Sequence, residues 1–128
     1  LRLLLDTHAV LWSVLDHPRL SHRARAAVAD PGNELLISAV SIFEITLKHR
    51  LGKLPEAAPF ALDHQAMLAD LSWSPLAISN AHAATAGSLD IPHKDPFDRL
   101  LIAQSLVERV PLVSVEVVFD GFGVERIW

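Results

Sequence analysis

Short, uninterrupted apolar runs punctuate the chain at Leu3-Leu4-Leu5, Leu35-Leu36-Ile37 and Leu112-Val113. A run without polar alternation fits a strand buried on both faces of a parallel sheet. Between the first two runs the pattern predicts two helices. One covers Ala9 to Leu15 and stops before Pro18; the other runs from an N-cap at Ser21 through Ala29 to a turn at Asp30-Pro31-Gly32-Asn33. After the second run, a helix is predicted from about Val40 to Leu51, with Gly52 as its stop and Pro55 beyond. Pro59 to Leu71 predicts a single helix, Ser74 to Ile78 a weak strand or extended linker, and Ser79 to Ala86 a short Ala-rich helix. A polar loop from Ser88 to Lys94 leads to Asp95-Pro96, an acid at N-cap and proline at N1, which opens a helix to about Arg109. Val124 to Trp128, after the Gly121-Phe122-Gly123 turn, predicts an edge strand. Helices alternating with short buried strands define an α/β fold with a mainly parallel sheet.

Composition narrows the picture. The 128 residues suit a single domain over residues 1–128. Hydrophobic residues make up 51% but aromatic ones only 6%, an aliphatic excess that points to a covered surface and hence a dimer. The longest stretch free of charge, near Glu34 to Glu44, falls well short of the about 18 residues that cross a bilayer, so no membrane association is expected. The opening leucines are cut off by Asp6 too soon for a signal peptide. With no cysteine, disulfides, thiolate zinc sites and cysteine nucleophiles are excluded, which fits a cytoplasmic location. The formal net charge of -4 excludes a global basic footprint, so any polyanion must be held locally. Local basic strips lie at His22-Arg23-Ala24-Arg25 and at Lys48-His49-Arg50 with Lys53, while Lys94 and Arg99 flank an acidic pair.

Ligands of open parallel sheets bind beyond the carboxyl ends of the strands. The residues expected there are acids: Asp6 after the first strand, Glu44 in the helix after the second, Asp95 and Asp98 at the head of the last long helix, and Glu116 after the last buried strand. Carboxylates brought together repel unless a cation lies between them, and all-oxygen ligation selects a hard one, Mg2+ or Mn2+. Such a centre suits phosphodiester hydrolysis by activated water. Each acid also has a structural explanation. Ser41-Ile42-Phe43-Glu44 matches a capping box, Glu44 and Lys48 are spaced for an ion pair, and Asp95 and Asp98 occupy N-cap and N3. Asp6 resists that treatment best, because an acid ending a leucine run lies near the core, where an unpaired carboxylate is costly. The chain has no G-x-G-x-x-G, Walker A, H-E-x-x-H or G-x-S-x-G motif. Its seven histidines show no ligand spacing and default to surface or capping roles, with His8 set apart by its closeness to Asp6.

Leu3-Leu4-Leu5-Asp6-Thr7-His8, Ser41-Ile42-Phe43-Glu44-Ile45 with Lys48, the run His93 to Gln104 and the ending Phe119 to Trp128 together resemble PIN-domain proteins of VapC type. The resemblance covers nearly the whole chain in the family's order, and D-P-F-D-R-L-L-I-A-Q is its most specific piece. It implies a three-layer α/β/α sandwich, and a metal-dependent endoribonuclease toxin that dimerises and is neutralised by a cognate VapB-type antitoxin. By position, Asp6, Glu44 and Asp98 match the family's three main acids, and Asp95 is an additional acid near the metal. Where the family usually shows Asp after the last buried strand, this chain reads Ser114-Val115-Glu116; either Glu116 ligates with a longer arm or the site leans on three acids. Thr7 and Ser114 match hydroxyls that orient a carboxylate or a metal-bound water, and Arg99 is expected to contact phosphate.

Two other readings compete. A phosphoacceptor domain of receiver type has similar length and layout but needs an acidic pair after the first strand and a lysine after the last, which this chain lacks. A catalytically degenerate module that binds RNA or protein draws only on Glu116.

Overall fold

The computed structural model describes residues 1–128. Its strands are β1 (Arg2–Leu5), β2 (Glu34–Ser38), β3 (Ser74–Leu76), β4 (Leu112–Val113) and β5 (Arg126–Ile127). They form one sheet in the order β3-β2-β1-β4-β5, with every neighbouring pair parallel. Parallel neighbours need crossover connections. Those up to β4 are supplied by α1 (Thr7–Val14), α2 (His22–Ala29), α3 (Ala39–Arg50), α4 (Ala58–Leu62), α5 (His64–Leu71), α6 (Asn80–Ser88) and α7 (Pro96–Glu108), while a 3-10 turn over Val117–Phe119 lies between β4 and β5.

The pairing register explains the missing polar alternation. Leu4 lies between Leu36 and Leu112, and Leu5 between Ile37 and Val113. Side chains alternate between faces along a strand. Leu3, Leu5, Leu35, Ile37 and Val113 therefore meet Val10, Trp12, Ala24, Phe60 and Leu68 of the helical layer built from α1, α2, α4 and α5. Leu4, Leu36 and Leu112 face the other way, onto Leu101 and Ile102 of α7 and onto Phe119. Both faces of the central strands are dry, and the molecule has three layers.

Several boundaries differ from the sequence reading. The helix expected over Pro59 to Leu71 is split at Asp63, whose φ of -151° and ψ of 75° are non-helical and whose carboxylate accepts from the Ala66 amide at 3.1 Å. The N-cap signal lies inside an otherwise periodic run, so periodicity hid it. A 3-10 turn over Pro55–Ala57 precedes the split pair. The first helix starts at Thr7 rather than near Ala9, because Asp6 is its N-cap. The last long helix ends one residue early, at Glu108, where Arg109 turns left-handed with φ of 56°. Gly52, just past α3, sits at φ of +75°, where a side chain is strained. No helix is long and apolar enough to cross a membrane.

Candidate active site

The chain leaves β1 to build β2 and β3 on one side, then returns to place β4 on the other, so the strand order reverses between β1 and β4. A crevice at such a reversal is where open α/β sheets bind ligands. Asp6 directly follows β1 and its amide donates to the Val113 carbonyl at 3.1 Å. Ser114 directly follows β4. Asp6, with the wholly buried Ser114 behind it, lines a cleft of about 630 Å³ together with Thr7, Glu44, Asp95, Asp98 and Glu116. All the acids expected at the sheet edge thus face one opening.

Asp6 is 4% exposed and both its oxygens are engaged. Oδ1 accepts from the Ala9 amide at 2.8 Å, and Oδ2 accepts from the Ser114 hydroxyl at 2.5 Å. The N-cap role and the buried position hold together. Burial pushes its carboxyl up to about 6, against the hydrogen bonds from Ser114 and Ala9 and the neighbouring His8, while Glu116 adds to the rise.

Glu44 is held differently from the capping box its sequence suggested. Ser38 caps α3, its hydroxyl accepting from the Val40 amide at 3.0 Å, and Ser41 is buried one turn into the helix. Ser41 Oγ instead shares a hydrogen bond with Thr7 Oγ1 at 3.0 Å, and Thr7 Oγ1 donates to Glu44 Oε1 at 3.0 Å. Thr7 therefore orients Glu44 toward the cleft. The i, i+4 pairing with Lys48 is present, at 3.7 Å.

Asp95 caps α7 and accepts from the amides of Phe97 at 2.9 Å and Asp98 at 3.4 Å. Asp98, one turn in, is bonded through Oδ2 to His93 Nε2 at 2.6 Å. Glu116 faces His8, with Oε1 and Nδ1 3.6 Å apart. Arg99 is held by the loop before it. Its guanidinium donates to the carbonyls of Ala86, Leu89, Ile91 and His93, at 3.0, 2.6, 3.4 and 2.9 Å. With four of its five donors engaged by backbone carbonyls, Arg99 is a clamp on the loop that carries His93.

The donor chemistry of the cleft fits a hard divalent cation: its acids offer only oxygens, and one of them is a buried carboxylate disfavoured in its charged form. The outer acids are each turned to a separate partner, and no three histidine, aspartate or glutamate side chains are gathered into a single chelating group. Reading along the sequence missed His93, whose only signal is its place five residues before Asp98 at the mouth of α7. It also missed the ring cluster of His8, Trp12 and His17 along one wall of the cleft.

A parallel sheet with an acid-lined crevice at its reversal point is the architecture of a PIN domain, and the PIN domain family profile matches residues 3–122. The chain belongs to that family. It is 40% identical over 72 residues to Ribonuclease VapC16 of Mycobacterium tuberculosis (strain ATCC 25618 / H37Rv), a match covering 53% of this chain and 51% of that protein. The match thus spans about half the length of that relative. Among solved structures, VapBC2 from Rickettsia felis bound to a DNA fragment from its promoter shares the fold with a TM-score of 0.73 at 17% identity, over 100% of both chains. FitAcB from Neisseria gonorrhoeae does so with a TM-score of 0.69 at 19% identity, over 97% of this chain and 95% of that one.

Proposed function

We propose that the chain is a divalent-metal-dependent endoribonuclease, the toxin of a toxin-antitoxin pair. The observation that carries this reading is the meeting of Asp6, Glu44, Asp95, Asp98 and Glu116 around one cleft, with Asp6 buried at the sheet's reversal point. The ribonuclease relative and the structural neighbours support it.

Bound Mg2+ or Mn2+ supplies Lewis-acid activation of water and of the phosphodiester. Asp6, Asp98, Asp95 and Glu44 are the residues that would hold it. Ser114 fixes the rotamer of Asp6, and Thr7 that of Glu44. Glu44, 18% exposed in its side chain, would accept the proton of the attacking water. Glu116 completes the acidic rim from the β4 side. His93, bonded to Asp98, would orient that carboxylate.

The same reading assigns partners and place. A VapB-type antitoxin neutralises the enzyme, which works in the cytoplasm. A second copy of the chain covers the apolar groove lined by Ile42, Phe43, Leu47, Leu68 and Leu76, where Phe43 is 54% exposed.

The test is cleavage of a mixed pool of structured RNAs in Mg2+ or Mn2+, beside an EDTA control and Asp6→Asn and Asp98→Asn proteins prepared identically. Cutting lost in EDTA and in both variants is the expected outcome. Equal behaviour of wild type and variants would sink the nuclease reading in favour of a module that binds RNA or protein without cutting it.

A further inference from the structure

The wall of the cleft formed by α1 and the segment after it carries rings. His8 and Trp12 lie one helical turn apart and stack with centroids 5.2 Å apart and planes 21° apart. His17 stacks on the same indole at 5.4 Å and 21°, and the Arg19 guanidinium carbon lies 4.7 Å from its centroid. Trp128 closes the indole at 5.7 Å with a tilt of 57°, leaving Trp12 8% exposed. The indole is a buried backing plate. What it backs is open: half of the His8 side chain is exposed, Arg19 is exposed, and both line the cleft with Asp6 and Glu44. His17 Nδ1 accepts from the Arg19 amide at 3.1 Å, which places the proton of the neutral ring on Nε2.

Charge gives this wall a task. Asp6, Glu44, Glu56, Asp95, Asp98 and Glu116 line the cleft against Lys48 and Arg19, and Lys48 is already paired with Glu44. Phosphate attraction alone is therefore a weak source of affinity for RNA here. Stacking is independent of that charge balance, and an aromatic face takes any base. We infer that one unpaired nucleobase of the RNA stacks on the open face of His8, backed by Trp12, with Arg19 beside it to meet the adjoining phosphate. A base inside a duplex has both faces covered and cannot enter such a stack. The inference rests on the ribonuclease reading for the identity of the polymer, and adds a base-stacking subsite to it.

The full chain is titrated, in EDTA so that no cutting occurs, into single-stranded RNA hexamers that carry 2-aminopurine at one position each. Expected are quenching at a restricted position, a loss of affinity of at least about fivefold in His8→Ala, and affinity within about twofold of wild type in His8→Phe. The same sequence as a duplex is expected to bind at least about fivefold more weakly. Unchanged affinity in His8→Ala, equal binding of duplex, or no binding of any hexamer by wild type overturns the inference. Cleavage in Mg2+ with any of those results leaves the nuclease reading standing and removes the subsite alone. Restricted quenching that depends on His8, in a protein that cuts no RNA, does the reverse.

Discussion

The Ser114 hydroxyl donates to Oδ2 of Asp6 across 108 positions of sequence, joining the ends of two adjacent parallel strands at the floor of the cleft. The bond ties an acid that burial disfavours in its charged form to a donor that favours that form.

Removing that donor is expected to weaken metal binding more than folding. Ser114→Ala should lower Mn2+ affinity by about 10- to 100-fold, the range for losing an outer partner of a metal ligand. Calorimetric titration of wild type and variant measures it. An unchanged affinity shows that Asp6 is positioned by its cap bond to Ala9 alone.

The Asp6 carboxyl, at about 6 in the fold against an ordinary 3.8, binds a proton in the folded state over a range where the unfolded chain has released it. The unfolded state holds fewer protons between those values, so stability falls as pH rises from about 4 to about 6, by about 3 kcal/mol. In metal-free protein, thermal melts at a series of pH values should show this fall in wild type and not in Asp6→Asn. Asparagine keeps the cap and cannot ionise. At pH 7, Mn2+ should raise the melting temperature of wild type and leave Asp6→Asn unmoved.

Arg99 holds its loop through charged donors on four carbonyls, each bond to a charged group worth roughly 1.5 to 3 kcal/mol when its geometry is good. Arg99→Ala should destabilise the protein by roughly 2 to 4 kcal/mol, since solvent replaces part of the loss, and should accelerate amide exchange in the loop of residues 89–94. Arg99→Lys should not rescue either effect, because one ammonium cannot span the four acceptors. Denaturant melts with hydrogen exchange decide; exchange unchanged in the loop refutes the clamp.

His82 is 2% exposed and has both ring nitrogens in use. Nδ1 accepts from the Ser79 amide at 3.0 Å, and Nε2 lies 2.8 Å from Glu108 Oε2, so the neutral ring donates to the carboxylate. His82→Ala removes the reciprocal cap of α6 and the link to α7 and opens a cavity, at a cost of about 2 to 4 kcal/mol in urea unfolding. A cost below about 0.5 kcal/mol would count the pair as incidental.

Much of this was readable along the chain because buried parallel strands leave a plain trace. Leu3-Leu4-Leu5 and Leu35-Leu36-Ile37 have no polar alternation, and the register shows why, with each residue covered from one layer or the other. Asp95-Pro96 and Ser21 announced their helices, and the acids fell where strand ends predict a cleft. What stayed hidden depends on contacts distant in sequence. Ser41 and Glu44 read as a local capping box, but Thr7, 34 and 37 residues away, claims both. Arg99 read as a free cation until the loop before it supplied carbonyls. The PIN family resemblance did foresee Thr7 and Ser114 beside the acids, where the one-dimensional pattern was silent.

The order of the sheet also governs when the cleft can come into being. β1 is made first and finds β2 within about thirty residues, yet its other edge waits for β4, and the bonds that join them span more than a hundred residues. Long loop closures of this kind come late in folding. As the chain is synthesised, Asp6 and Glu44 are in place long before Asp95, Asp98, Ser114 and Glu116 exist, so a nascent chain holds only two of the five acids of the sheet edge. The acidic cleft is thereby kept incomplete until its last strands are laid.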